Sequence, residues 1–265
     1  MFLPREHGAT AMLLTPIFCA AILARQWRWA ELVTLLAAIA ALAAKDPMIV
    51  LARQRFVWKQ THPETVVAAK SVAGWMVILI LCGIALLAAW PLTAIAAFGA
   101  GVCAFSALAV AINVKNRQRS TLFQIVSAAA LTSSALAAGL SATGSIAPWC
   151  WWLWPLMAMQ AASGILVVHA RLNARIAARN NTLADRGHRR AAMGALGVLA
   201  CAAIAAIVLR RGWIALALLI VVAAHLYDLT RQSDPAALQV PLKRVGLRAL
   251  ALSSLYALLI VLGLW

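Results

Sequence analysis

Five short polar stretches interrupt an otherwise apolar chain, and they hold nearly every side chain able to do chemistry. PREHGATAMLLTP (4–16) sets Arg5, Glu6 and His7 directly before Gly8. KDPMIVLARQR (45–55) carries Arg53 and Arg55, and NVKNRQR (113–119) carries Asn113, Lys115 and Arg117. HARLNAR (169–175) carries His169, Arg171, Asn173 and Arg175; HLYDLTR (225–231) carries His225 and Asp228. Residues four apart share a helix face. That spacing pairs His169 with Asn173 and Asn113 with Arg117, and lines up Arg171, Arg175 and Arg179. His225 and Asp228, three apart, can hydrogen-bond and fix an imidazole tautomer, as a general acid/base pair requires. Guanidinium groups offer bidentate donors to phosphate without a bridging metal. Arg53, Arg55, Lys115, Arg117, Arg171 and Arg175 are therefore candidate phosphate ligands. Glu6, His7, Asn113, His169 and Asn173 would shape a cavity around them, with His7 and His225 as proton shuttles.

Each of these groups also has a plainer reading. An arginine stripe at a helix end anchors to anionic lipid, at about 1 kcal/mol per residue. The His225–Asp228 pair could merely close a helix bundle, and the N-terminal segment could be an interfacial anchor. The missing patterns narrow the chemistry further. With four aspartates and three glutamates there is no DxxxD, DDxxD or NDxxD, and no two carboxylates lie one helical turn apart. Mg²⁺ needs clustered carboxylate oxygens, so no metal site and no cofactor is predicted, and Mg²⁺ stays open as an alternative that the sequence does not support. No HExxH, P-loop, GxSxG or dinucleotide fingerprint occurs in a suitable context. The five cysteines include no CxxC and read as small buried hydrophobes.

The elements that position these groups must be membrane helices. Of 265 residues, 65% are hydrophobic and 11% charged, and the mean hydropathy is +0.90. No water-soluble core hides that much apolar surface, which excludes a soluble enzyme. The net charge of +16 reflects loop charges of a membrane protein, and no nucleic-acid partner is expected. Apolar runs of about 17–25 residues suit transmembrane helices. Nine are expected, at 8–24, 30–51, 71–90, 92–113, 121–141, 149–170, 191–209, 212–229 and 245–264, in an all-α bundle forming one integral membrane domain over 1–265. The first is expected to be a retained span rather than a cleaved signal. Lys and Arg divide 19 to 4 between the two sets of connections. The positive-inside rule then places the N-terminus in the cytoplasm and Trp265 outside the inner membrane. Nine of the eleven tryptophans fall at the outer ends of these spans, as an aromatic belt requires.

The PREHGATAMLLTP start is similar to the P-K/R-E-H-G-A signature that opens the YwiC-like family of bacterial membrane proteins, and LVVHARLNARIAARN (166–180) resembles that family's second basic motif. The resemblance implies a multi-span inner-membrane protein. More distantly, polar motifs at the cytoplasmic ends of spans 2, 4, 6 and 8 look like those of UbiA-type prenyltransferases. Those enzymes hold a prenyl diphosphate through Mg²⁺ on aspartate-rich motifs at the ends of spans 2 and 6. Here Asp46 alone echoes the first motif and the second has no acid, so the usual metal-dependent transfer is not expected.

The leading expectation is a UbiA-like bundle whose basic cytoplasmic cavity binds an anionic amphiphile, an isoprenoid or lipid phosphate, with membrane lipid around it. An enzyme of this kind would be a transferase without the metal cluster. The alternatives are a permease for a small anion or metabolite, and an accessory subunit bound to a membrane-protein partner or to a second copy of itself.

Overall fold

Inside a bilayer every backbone N–H and C=O must be satisfied within its own segment, so continuous apolar runs become helices. The computed structural model describes residues 7–117, 120–180, 182–183 and 185–265. Among these residues there is no strand. The helices are α1 (His7–Ala24), α2 (Trp29–Arg53), α3 (Glu64–Leu86), α4 (Leu92–Val114), α5 (Thr121–Thr132), α6 (Ser134–Thr143), α7 (Pro148–Arg179), α8 (Arg186–Val208), α9 (Gly212–Thr230), α10 (Pro235–Leu238) and α11 (Leu242–Leu264). Eight segments are long and apolar enough to cross a membrane, and Gly8–Ala24 is a shorter apolar helix.

Two differences from the expected spans have physical causes. The fifth span is two helices, α5 and α6, meeting at Ser133. There the Thr132 hydroxyl bonds back to Ala128 O at 2.8 Å and the Ser133 hydroxyl to Ala130 O at 2.7 Å, a habit that bends helices. In addition, α7 and α8 run beyond the apolar windows, so HARLNAR and RGHRR are helical rather than loop. Apolar length marks only the part of a helix that lies in hydrocarbon.

The chain forms two compact units, Met1–Trp154 and Pro155–Trp265, with the division inside α7 at Pro155. In the first unit, α2 presents Ala40, Ala43 and Ala44 to Trp75 of α3; such small residues let helix backbones approach closely. Nearer the start of α2, the buried residues Ala30, Leu86, Trp90 and Leu140 form a second cluster. The Ser134 hydroxyl donates to Leu13 O and Gln26 Nε2 donates to Ala142 O, both at 2.8 Å. Residue numbers rise together along the two partners, so α1 runs parallel to α6. A Cβ on Gly139 would meet the Cys150 thiol, so glycine is required where α6 touches the first turn of α7. In the second unit, Tyr256 OH donates to Leu156 O and Gln160 Nε2 to Ser253 Oγ, both at 2.9 Å, which sets α11 antiparallel to α7.

The outer faces are apolar: Leu92, Leu122 and Val208 are 71%, 74% and 74% exposed, as lipid-facing side chains are. Trp27, Trp29, Trp151, Trp152, Trp213 and Trp265 are exposed as belt residues should be. Trp90 is not one of them: it is buried, and its indole N–H donates to Ser141 Oγ at 3.1 Å. Cys19, Cys82 and Cys150 are buried, but Cys103 and Cys201 lie on exposed faces of α4 and α8, against expectation.

Candidate functional site

In the first unit the polar ends of α2 and α4 meet. Nη2 of Arg53, in the last turn of α2, donates to Asn113 O at 3.0 Å and to Asn116 Oδ1 at 2.9 Å. Asn116 ends α4 with φ +54, a left-handed position that asparagine tolerates. Asn113 turns its amide back to Ala109 O at 2.9 Å. Arg53, Asn113 and Asn116 therefore form a latch between two helices. Arg55, Lys115 and Arg117 are exposed beside it. Asp46 lies farther up α2, its carboxylate 3.9 Å from Lys45 Nζ. Between the helices runs an open groove of about 410 Å³, walled by Met48, Phe56, Ala107, Val110, Ala111 and Val114, with Lys115 as the one charged residue among the described residues that line it. Glu6 lies outside the described residues. His7 begins α1, and its side chain likewise falls outside the description.

In the second unit His169 and Asn173, one turn apart on α7, both engage the start of α8. The His169 and His188 ring centroids are 6.1 Å apart, and Asn173 Oδ1 accepts from Asp185 N at 2.8 Å. Asp185 caps α8 through Gly187 N at 2.9 Å and stands 3.4 Å from His188 Nδ1. Nη2 of Arg171 donates to Ala237 O of α10 at 2.6 Å, while Arg175 is exposed. The expected stripe is thus divided between tying down the chain and facing outward.

The expected His225–Asp228 hydrogen bond is not made. Asp228 pairs with Arg248 of α11 at 3.6 Å. His225 is 6% exposed and neither ring nitrogen has a hydrogen-bond partner among the described residues. Residues three apart sit side by side on a helix but point in different directions. His225 belongs to the buried stripe with Leu218, Val221 and Leu229, whereas Asp228 is turned toward the basic start of α11. No group of three or more His, Cys, Asp or Glu that could hold a metal occurs among the described residues.

Sequence reasoning passed over Glu31. It lies in the first turn of α2, 2% exposed; Oε2 accepts from Arg28 N at 2.9 Å and Oε1 is buried with no partner among the described residues. The signal available was one carboxylate inside an apolar run.

Helices of this length and apolarity, with lipid-type outer faces and buried polar side chains, define a polytopic α-helical membrane protein. A family model described as YwiC-like protein matches residues 3–139, just over half of the chain. The chain belongs to the YwiC-like family. The match takes in the opening motif, Glu31, the Arg53 latch and the groove; it ends before 166–180. No curated protein and no solved structure matches the chain.

Proposed function

We propose that the protein binds an anionic amphiphile, an isoprenoid or lipid phosphate, in the groove between α2 and α4, with the basic helix ends facing the cytoplasm of a bacterial inner membrane. The observation that carries this reading is the composition of the groove: apolar walls of about 410 Å³ with Lys115 at the polar end. A hydrocarbon tail suits the walls and a phosphate suits Lys115, with the exposed Arg55 and Arg117 nearby. Arg53 and Arg171 each commit Nη2 to a backbone carbonyl, which braces the chain and leaves Nε and Nη1 of each guanidinium outside those bonds. The enzymatic form of this reading is a UbiA-like transferase lacking aspartate-rich motifs.

Native mass spectrometry of detergent-purified protein, with and without EDTA, tests the reading. A discrete isoprenoid or lipid phosphate retained in EDTA is expected. Lys115→Ala or Arg117→Ala should weaken its binding about tenfold, since a hydrogen bond to a charged group is worth about 1.5–3 kcal/mol. Unchanged binding in both variants, or only a ladder of bulk lipids on the wild type, overturns it. A second reading, a permease, is favoured by His225, because ionisable groups within membrane helices mark solute pathways. Solute flux in proteoliposomes would support that reading instead.

A further inference from the structure

The strongest unexplained feature lies at the other end of α2 from the groove, around Glu31, and it is independent of the amphiphile reading. Glu31, Thr34, Ser141 and Trp90 are all buried, and three of the four form a closed hydrogen-bond chain. The Ser141 hydroxyl lies 3.0 Å from Ala137 O, to which it can donate. Its oxygen accepts the indole N–H of Trp90 at 3.1 Å and lies 2.6 Å from Thr34 Oγ1. A hydroxyl has one proton to give. With the Ser141 proton on Ala137 O the Thr34 hydroxyl donates in this bond, and with it turned to Thr34 the Ser141 hydroxyl does. Thr34, Ser141 and Trp90 bond among themselves and to Ala137 O, and none of them bonds to Glu31 Oε1.

On the other side of the carboxyl group, Oε2 already holds the Arg28 backbone N–H at 2.9 Å, while Oε1 is buried with no partner. The cap explains one oxygen of Glu31 and leaves the second unexplained. A buried carboxylate oxygen without a donor is among the most costly arrangements in a protein, far more so than an unpaired neutral group. Arg28, just before α2, acts on the carboxyl group electrostatically, and the neighbouring helices add no further charge there. α4 and α6 contain no charged residue, the charges of α3 (Glu64 and Lys70) are at its opposite end, and α1 contributes none near its C-terminus. Among the described residues of the first unit, the charged residues at this end are Arg25 and Arg28 of the α1–α2 connection. Nor do the neighbours make a cage for a metal cation. The cluster has one carboxylate, and the hydroxyl oxygens are tied into the chain described above.

We propose that Glu31 is a proton-binding site within the membrane helices, holding a proton on Oε1 while Oε2 caps α2. The site provides a carboxyl group buried among helices, with Oε1 unbonded among the described residues. A group of this kind changes between the neutral acid and the carboxylate by giving its proton to, or taking it from, water.

Infrared difference spectroscopy of the full chain in lipid vesicles, wild type against Glu31→Gln at neutral pH, tests this directly. Glutamine keeps the cap through its carbonyl oxygen and supplies N–H donors where the acid supplies O–H, so the fold should persist. The expected difference is loss of one protonated-carboxyl C=O band. Loss of carboxylate bands instead, or carboxylate bands that respond to added sodium chloride, overturns the proposal. If the Gln variant does not insert, the wild-type chain is titrated to alkaline pH, where solvent-facing carboxyls are ionised. A surviving protonated-carboxyl band then supports the site, and its absence overturns it.

Discussion

The cationic side chains at the helix ends and the imidazole inside α9 are treated in opposite ways. Arg53 and Arg171 each find a backbone carbonyl, at 3.0 and 2.6 Å, and this fixes one element against another. His225 is buried with two polar nitrogens and no partner among the described residues. Such a group costs stability, and replacing it with an apolar group of similar size removes that cost, about 1–3 kcal/mol. His225→Leu is therefore expected to raise the thermal unfolding temperature in detergent. A lowered temperature would mean that the ring nitrogens are satisfied in the membrane-embedded protein. If His225 also serves the protein's activity, the same variant should be more stable and less active, the usual trade at functional sites.

At the scale of helices, contact depends on small residues, and Gly139 is the sharpest case. A Cβ there would meet Cys150 Sγ, with Trp149 also close, where α6 touches the start of α7. Gly139→Ala should destabilise the protein by about 1–3 kcal/mol, as overpacking does. Removing the opposing sulfur with Cys150→Ala in the same chain should recover part of the loss. A double-mutant cycle on unfolding temperature should give a coupling of at least about 0.5 kcal/mol; strict additivity would place the clash elsewhere. The same scale explains what could be read beforehand. Span positions were legible because a hydrocarbon crossing requires a minimum apolar length, whereas the pairing of Arg53 with Asn113 O was not, since helical spacing relates Asn113 only to Arg117 on its own helix. The break at Ser133 was not legible, because it depends on hydroxyls bonding back to their own helix, which apolar length does not register. Glu31 and the buried Trp90 were missed for a related reason. An average over an apolar run hides one acid, and a tryptophan at a helix end reads as a belt residue until its N–H is found on Ser141.

For the whole molecule the decisive property is sidedness, and the first unit contains an internal check on it. Three helices, α2, α3 and α4, lie between α1 and α5–α6, so α1 must cross in the same sense as α5–α6 if it crosses at all. The Leu13–Ser134 and Gln26–Ala142 hydrogen bonds make α1 and α6 parallel, as that requires. At about 1.5 Å per residue the short α1 falls a few ångströms below the roughly 30 Å hydrocarbon thickness, a mismatch that local thinning of the bilayer accommodates at modest cost. Cysteine accessibility then gives a definite outcome. Ser145→Cys, in the exposed α6–α7 connection, should react with a membrane-impermeant maleimide in intact cells. Leu183→Cys, at a position 96% exposed between α7 and α8, should react only in inverted vesicles. An epitope ahead of α1 should share the protection of Leu183→Cys. The native thiols should stay silent, three being buried and the other two lying on the outer faces of apolar helices. Labelling of both engineered cysteines from the same side would mean that α7 does not cross. Exposure of the epitope alongside Ser145→Cys would mean that α1 lies against α5 and α6 without traversing the bilayer.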